Sequence, residues 1–255
     1  MRFSANLGFL WTDLPLPAAI RAAKRAGFDA VECHWPYEVP VDAMCRALDE
    51  TGLPMLGLNT RRGDLSRGEN GLAALPGRGA EARAAVDEAL GYACAIGAQS
   101  LHVMAGVAEG PEARAAFLDT LRYACDRAAP HRITILIEPL NRYDAPGYFL
   151  NTTAQAQTIL AELGRTNARL MFDCYHVGRT EGDVIARLET LWPMIGHIQF
   201  AAVPDRGAPD HGDLDYRQVF RAIARLGWTR PLGAEYRPGT ETGASLDWLD
   251  WARRL

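Results

Sequence analysis

The chain has 255 residues, of which 48% are apolar and 23% charged, with a formal net charge of -4 at pH 7. This length fits one large domain, such as an α/β barrel, or two small ones, and the composition is that of an ordinary globular protein. The acidic balance and the lack of any basic run give no electrostatic reason to expect nucleic acid or an anionic membrane as a partner.

The amino-terminal stretch MRFSANLGFLWTDL is interrupted by Asn6, Gly8 and Asp13, so it predicts neither a signal peptide nor a membrane span. The five scattered cysteines include no CxxC pair, which is typical of reduced thiols and favours a cytoplasmic protein. Lys24 is the only lysine and lies in a helical stretch, and no GxSxG motif occurs. Schiff-base chemistry and a serine nucleophile therefore lack a candidate residue.

Short apolar runs alternate with longer stretches of helical period, which is typical of βαβ units. The predicted strands span residues 3–7, 30–34, 55–59, 100–104, 133–138, 169–173, 195–200 and 232–236. The predicted helices span residues 15–26, 40–51, 79–96, 111–129, 153–164, 181–192, 215–226 and 244–254. Eight strand–helix pairs without a linker predict a single (β/α)₈ TIM-barrel domain over residues 1–255. A doubly wound sheet is disfavoured because no GxGxxG turn follows the first strand.

The longest irregular segments, residues 60–78, 139–151 and 201–214, each follow a predicted strand. In a barrel such loops lie on the C-terminal face, where active sites are built, so we expect the functional site there. Gly63, Gly68 and Gly71 in this first segment are compatible with a mobile lid. Tyr148, Phe149 and Leu150, interpreted as exposed loop residues, are compatible with a homodimer.

Four consecutive predicted strands end in a side chain that offers an oxygen ligand: Glu138, Asp173, Gln199 and Glu235. Neighbouring strands lie ~4.8 Å apart, so these side chains can converge on one ion. An all-oxygen set suits Mg²⁺ or Mn²⁺ better than Zn²⁺. Each residue alone has a simpler interpretation, such as a helix cap for Asp173 or an ion pair with Arg237 for Glu235. Their occurrence on four successive strands favours a metal site.

Other polar residues lie near these strand ends. His176 is one turn beyond Asp173 and is expected to bind a substrate oxygen or to support the site, and His102 is a candidate pocket residue. Arg206 lies in the loop after the seventh strand, where it is either solvated or contacts an anion. Glu32 is interpreted as a buried acid paired with an arginine, and His197 as an inward-facing side chain one layer below Gln199. His34 is assigned a structural role, and Trp11 and Trp35 are candidate wall residues of the pocket.

The stretches IEPLN, FDCYH, HIQFAAVPDR and GAEYRP resemble the hydroxypyruvate isomerase family of the xylose-isomerase-like barrels. The stretches GFDAVE, GDLSRGENGLAALPGR, DAPGYFLNT and HGDLDY extend the resemblance along nearly the whole chain. It implies a divalent metal, Mg²⁺ or Mn²⁺, held by Glu138, Asp173, Gln199 and Glu235. It also implies that Glu138 and Glu235 are the catalytic acid/base pair. One departure is Tyr143, which stands where an arginine is expected.

The resemblance implies an isomerisation of a small hydroxy-keto acid through an enediolate, with hydroxypyruvate converted to tartronate semialdehyde. His176 and His102 are expected to contact this substrate. One or more of Arg61, Arg142 and Arg206 are expected to meet its carboxylate.

Several alternatives remain open at this point. A ketose 3-epimerase or another sugar isomerase would use the same two glutamates, although such enzymes usually carry a histidine where this chain has Gln199. A lyase acting on an inosose-like substrate would lose water. A metal-dependent phosphodiesterase acting on abasic DNA would need further histidine ligands and a basic groove. A non-catalytic sugar-binding barrel would bind without exchanging protons.

Overall fold

The computed structural model describes residues 1–239 and 241–255. Eight parallel strands form one sheet in the order β2-β1-β8-β7-β6-β5-β4-β3. They are β1 (Phe3–Asn6), β2 (Ala30–Glu32), β3 (Gly57–Asn59), β4 (Ser100–His102), β5 (Thr134–Ile137), β6 (Ala168–Asp173), β7 (Ile195–Phe200) and β8 (Leu232–Ala234). A parallel bridge between Val31 and Met55 joins β2 to the segment before β3, so the sheet closes on itself. The predicted barrel is confirmed.

The outer layer of the described chain consists of nine α-helices, eight of which correspond to the predicted helices. They are α1 (Leu16–Arg25), α2 (Val41–Thr51), α3 (Gly79–Ile96), α4 (Gly110–Ala128), α5 (Thr153–Leu163), α6 (Cys174–Thr180), α7 (Val184–Leu191), α8 (Tyr216–Arg225) and α9 (Asp247–Arg253). The short helix α6 is not predicted from the sequence; it begins directly at the end of β6 because Asp173 caps it. No helix in residues 1–239 or 241–255 combines the length and apolar character needed to cross a membrane.

The barrel packs on its helices through an aromatic cluster formed by Phe3, Phe200, Phe220 and Trp248. The rings of Phe3 and Phe200 meet edge to face with centroids 5.9 Å apart, and Trp248 lies 5.1 Å from Phe3 and 5.2 Å from Phe200. Such pairs contribute about 0.5–1.5 kcal/mol each beyond the area they bury. This cluster anchors α8 and α9 on β1 and β7, the strands next to β8.

Residues 60–78, called the β3 loop below, are partly fixed to the segment that follows β4. The Gly71 N–H donates to the Arg62 carbonyl at 2.8 Å, and the Ala74 N–H donates to the Ala105 carbonyl at 2.7 Å. Residues 64–68 of the loop are exposed. The mobile lid stays a prediction. Because the rest of the loop is held by these hydrogen bonds, a mobile part would be limited to the exposed tip, residues 64–68.

Tyr148, Phe149 and Leu150 are buried, so their interpretation as exposed loop residues is wrong. The Tyr148 hydroxyl accepts a hydrogen bond from the Ala105 N–H at 2.8 Å, and the Phe149 ring packs 5.5 Å from that of Phe117. The apolar run YFL therefore fills space between loops of the same chain. The homodimer stays a prediction, without this support.

Candidate active site

The four predicted ligands lie at the C-terminal ends of adjacent strands. Glu138 follows β5, Asp173 ends β6, Gln199 lies in β7 and Glu235 follows β8, and all four are buried. The parallel register places Asp173 beside Gln199 and Gln199 beside Gly233, two residues before Glu235. Side chains alternate along a strand, so this register turns the polar groups of neighbouring strands to the same side.

Each of these four side chains has one buried oxygen without a hydrogen-bond partner: Glu138 Oε1, Asp173 Oδ2, Gln199 Oε1 and Glu235 Oε2. For Asp173 and Gln199 the other polar atom is engaged. Asp173 Oδ1 accepts the Tyr175 N–H at 2.9 Å, and Gln199 Nε2 donates to Glu32 Oε1 at 2.8 Å. Buried polar atoms without partners are costly and call for an explanation. Three carboxylates and one amide oxygen fit a hard divalent cation such as Mg²⁺ or Mn²⁺.

The carboxylates repel one another in this buried setting. Burial raises the pKa of Glu138 well above its usual range, and the neighbouring Glu235 and Asp173 add to the effect. Burial and then Glu235 raise the pKa of Asp173 to about 7. A divalent cation would relieve this repulsion, because it favours the charged form of each carboxyl.

Arg206 partly neutralises the cluster. Its Nη2 atom lies 3.3 Å from Glu235 Oε1 and 3.9 Å from Asp173 Oδ2. The guanidinium lies between the rings of Phe9 and Tyr175, 4.6 Å and 4.9 Å from their centroids. Its backbone adopts the left-handed region, with φ of 61°, which is unfavourable for a residue other than glycine. The predicted contact of Arg206 with an anion is therefore made, in the structure, with the protein's own carboxylates.

His176 presents a hydrogen-bond donor to the carboxylates. The Asn141 N–H donates to His176 Nδ1 at 2.9 Å, so Nδ1 is an acceptor and the neutral ring carries its proton on Nε2. Burial lowers the pKa of His176 well below its usual range, which keeps the ring neutral. Nε2 lies 3.6 Å from Asp173 Oδ2 and 3.9 Å from Glu138 Oε1. Although these three residues are close enough to share an ion, this tautomer makes His176 a donor and leaves the ligand role to the oxygens.

Glu32 orients the amide of Gln199. Its carboxylate accepts from Gln199 Nε2 at 2.8 Å and from Asn6 Nδ2 at 3.1 Å, and it lies 2.8 Å from His197 Nε2. A carboxylate only accepts, so the amide nitrogen must face it and Oε1 is turned away. Burial acts to raise the pKa of Glu32, but His197 and the amides outweigh it and lower that pKa. The predicted arginine partner is wrong, while the inward position of His197 is confirmed.

Space for this network comes from Gly233 on β8. A Cβ atom at position 233 would lie 2.5 Å from Glu32 Oε1 and 2.8 Å from the Gln199 Cγ. Contacts this short do not occur in real structures, so only glycine leaves room for the carboxylate beneath the predicted ligands.

A cavity of about 290 Å³ opens above the glutamates on the C-terminal face. Five of the residues predicted for the site line it: Glu138, Glu235, His176, His102 and Arg206. The structure does not bring Arg61 and Arg142 into this cavity. Arg61 is held by Glu88 at 2.8 Å and Glu38 at 3.0 Å, and Arg142 is exposed, 5.3 Å from the ring of Tyr143.

Two cavity residues were missed by sequence reasoning. His34, assigned to a structural role, lies with Nε2 3.0 Å from Glu235 Oε1. Its position two residues after the inward-facing Glu32 is the signal that would have indicated it. Arg62 also lines the cavity and stacks on Trp35, the predicted wall residue, whereas Trp11 packs on Phe28 instead.

The sequence model of the xylose isomerase-like TIM barrels matches residues 20–251. The chain belongs to this family. It is 43% identical over 252 residues to a 2-oxo-tetronate isomerase of Cupriavidus necator, which covers 97% of both proteins. It is 40% identical over 267 residues to a putative hydroxypyruvate isomerase of Homo sapiens, which covers 100% of this chain and 96% of the relative. The predicted enzyme class, an isomerase, is thereby confirmed along with the family.

The structural comparison agrees in fold. A crystal structure described as an AP endonuclease, family 2, from Brucella melitensis has a TM-score of 0.94 and 37% sequence identity, covering 98% of each chain. In the described residues of this chain, the group of Glu138, Asp173 and His176 is the one cluster of three acidic, histidine or cysteine side chains close enough to hold an ion. The additional histidine clusters that a multi-zinc phosphodiesterase needs are therefore missing from that part of the chain.

Proposed function

We propose that this protein is a divalent-metal-dependent isomerase of small hydroxy-keto acids, with conversion of hydroxypyruvate to tartronate semialdehyde as the expected reaction. The observation that carries the proposal is the set of four buried, unpartnered oxygens on adjacent strand ends. The names of the relatives support the substrate class. Hydroxypyruvate and 2-oxo-tetronate are both 2-oxo acids with a hydroxyl on the next carbon.

Glu138, Asp173, Gln199 and Glu235 would hold Mg²⁺ or Mn²⁺. When bound, the cation would supply Lewis-acid stabilisation of the negative charge that develops on substrate oxygens. The hydrogen bond from Gln199 to Glu32 prepares the amide for this role, because it turns the oxygen rather than the nitrogen away from Glu32.

The two glutamates carry the proton transfers. One of them removes a proton from C3, and the C–H electron pair forms the C2–C3 double bond of an enediolate as charge moves to the C2 oxygen. The other returns a proton to C2, and the hydroxyl proton passes from the C3 oxygen to the C2 oxygen. Each glutamate has a histidine neighbour: His34 lies 3.0 Å from Glu235, and His102 Nδ1 lies 3.5 Å from Glu138.

His176 stabilises the charge that appears in this step. Its Nε2–H points toward the carboxylate cluster, and the Asn141 N–H fixes the ring in that orientation. A donor held in place before the reaction loses no energy to reorganisation, which is why such groups lower barriers. We propose that it donates to an enediolate oxygen.

The test follows the C3 protons of hydroxypyruvate by NMR in heavy water, with metal-stripped protein and with protein loaded with Mg²⁺ or Mn²⁺. We expect metal-dependent loss of the C3 signal and appearance of tartronate semialdehyde. Glu138→Gln and Glu235→Gln should each abolish turnover with the fold retained, whereas Glu88→Gln, which changes an exposed glutamate paired with Arg61, should not. A double glutamine variant with near-normal activity would refute the assignment.

Two other outcomes separate the alternatives. Proton exchange without product would keep the glutamates as bases and move the substrate to a longer hydroxy-keto acid or a ketose. No exchange with any metal or any ketose would contradict the proposal and favour a barrel that binds without catalysing.

A further inference from the structure

Arg62 is a cation of the cavity that lacks an acidic partner. It lines the cavity from the β3 loop, and in residues 1–239 and 241–255 no carboxylate lies within ion-pair distance of its guanidinium. The guanidinium instead stacks over the indole of Trp35, 4.3 Å from the ring centroid. Partial burial lowers the pKa of Arg62, which is the expected effect of removing water without supplying an anion.

Arg206, the other arginine of the cavity, is in the opposite situation. Three carboxylates lie close to it: Glu235 at 3.3 Å, Asp144 at 3.6 Å and Asp173 at 3.9 Å. Its charge is already used to offset the acidic cluster. A substrate anion would therefore gain more from Arg62, whose charge no protein carboxylate offsets.

The position of Arg62 is fixed by the chain around it. Its carbonyl accepts the Gly71 N–H at 2.8 Å, and the carbonyl of Thr60 accepts the Trp35 Nε1–H at 3.0 Å. These bonds hold the Arg62 main chain and the Trp35 ring, and the stack on that ring orients the guanidinium before a ligand arrives. Asn70, on the same loop, lines the cavity as well and adds an amide donor.

The barrel order separates Arg62 from the predicted ligands. The ligands belong to β5, β6, β7 and β8, which form one contiguous half of the ring, whereas Trp35 and Arg62 follow β2 and β3 in the other half. A small acid that bridges the cavity can therefore place its carboxylate on one side and its reacting carbons on the other. Planar guanidinium groups bind carboxylates through two parallel hydrogen bonds, which suits this arrangement.

We propose that Arg62, stacked on Trp35, binds the substrate carboxylate and thereby selects 2-oxo acids over neutral ketoses. The inference rests on the proposed function for the identity of the substrate. It names the residue that makes the enzyme prefer a substrate with a carboxylate. It also replaces Arg61 and Arg142, two of the three arginines predicted from the sequence, with Arg62, which the structure places in the cavity.

The test is a binding measurement that needs no turnover. Ligand-detected NMR titrations on Mg²⁺-loaded protein compare D-glycerate with D-glyceramide, which has the same skeleton but no charge. We expect Arg62→Met to weaken glycerate binding about 10- to 100-fold, the usual effect of losing a hydrogen bond to a charged group, and to leave glyceramide nearly unchanged. Arg67→Met, an equal charge change on the exposed part of the same loop, should bind both ligands like the wild type.

Several results would overturn the inference. One is equal affinity of the wild type for the two ligands, and another is an equal loss of affinity for both ligands in Arg62→Met. A third is a selective loss of glycerate affinity in Arg61→Met instead of Arg62→Met. Unchanged Mn²⁺ affinity shows that the variant is folded with its ligands in place. If Arg62→Met does not fold, Arg62→Lys, which keeps the charge but not the fork, should show a smaller selective loss, and wild-type binding by this variant would contradict the proposal.

A kinetic measurement separates this inference from the proposed function. Arg62→Met should raise KM for hydroxypyruvate with little change in kcat, because the carboxylate contact is the same in the ground and transition states. If wild-type protein exchanges no C3 proton, the proposed function fails, but the glycerate preference and its loss in Arg62→Met still test the carboxylate site.

Discussion

Without a bound cation, the stability of this protein should fall as pH rises, and the buried Asp173 gives the size of the effect. Its pKa is raised from 3.8 to about 7, first by burial and then by Glu235. Between these values the folded state keeps a proton that the unfolded state has released. Stability therefore decreases from about pH 4 to about pH 7, and the raised pKa of Glu138 acts in the same direction.

The magnitude follows from the pKa difference. A change from 3.8 to about 7 corresponds to about 4 kcal/mol. About 3 kcal/mol of this falls between pH 5 and pH 8, which for a protein of this size corresponds to a decrease of about 6–12 °C in Tm. A divalent cation present at about 100 times its Kd would restore about 2.7 kcal/mol at pH 8.

The assay is calorimetry of chelator-treated protein at pH 5 and pH 8, with and without Mn²⁺, for the wild type and Asp173→Asn. The asparagine removes the charge but keeps an oxygen in the place of Oδ1, which accepts the Tyr175 N–H and caps α6. At pH 8 the metal-free variant should be more stable than the metal-free wild type. It should also lose most of the stabilisation by Mn²⁺.

Opposite results would refute the reasoning. If the metal-free wild type has the same pH dependence as Asp173→Asn, burial and Glu235 do not raise the pKa of the Asp173 carboxyl. If Asp173→Asn keeps the full Mn²⁺ stabilisation, the cation binds elsewhere.

Three further predictions address the residues around the ligands. Glu32→Met removes the acceptor that orients Gln199 and should lower Mn²⁺ affinity about 10- to 100-fold in a titration followed by electron paramagnetic resonance, whereas unchanged affinity would show that the amide is oriented by other contacts. His176→Gln should lower kcat with Mn²⁺ affinity retained, because His176 offers a donor; a matching loss of affinity would make it a ligand. Gly71→Ala places a Cβ 2.5 Å from the Met104 carbonyl oxygen at a φ of 118°, so it should lower Tm and raise KM. Wild-type values of both would show that the β3 loop accommodates the added methyl group without moving Arg62.

The fold and the four strand-end oxygens were accessible from the sequence for the same reason. Strand alternation and barrel geometry leave little freedom at positions such as Glu138 and Asp173, so a side chain that ends a strand faces a known side. The two interpretations of Asp173, a helix cap and a ligand, are both compatible with the structure, because Oδ1 caps α6 while Oδ2 stays unpartnered.

Loop residues escaped the same reasoning because alternation stops where the strand stops. The sequence predicts Arg61 rather than Arg62 at the site, but β3 ends at Asn59, so strand alternation does not decide which of the two arginines faces the cavity. Arg61 then reaches two exposed glutamates, Glu38 in the turn before α2 and Glu88 on α3, instead of the cavity. The partner of Glu32 was missed for another reason, since its charge suggested an arginine while the structure supplies a histidine 165 positions away.

If Arg62 binds the substrate carboxylate, the β3 loop combines substrate recognition with restricted motion. Arg62 belongs to the part fixed by Gly71, whose N–H binds the Arg62 carbonyl, and by Ala74, which binds the segment after β4. The exposed tip, residues 64–68, is the part free of these bonds. A closing movement of the tip would therefore leave Arg62 in place, and a substrate carboxylate held there would be bound before closure. On this proposal, proton transfer takes place at the strand ends, and substrate selection takes place at the part of the β3 loop that is fixed to its neighbours.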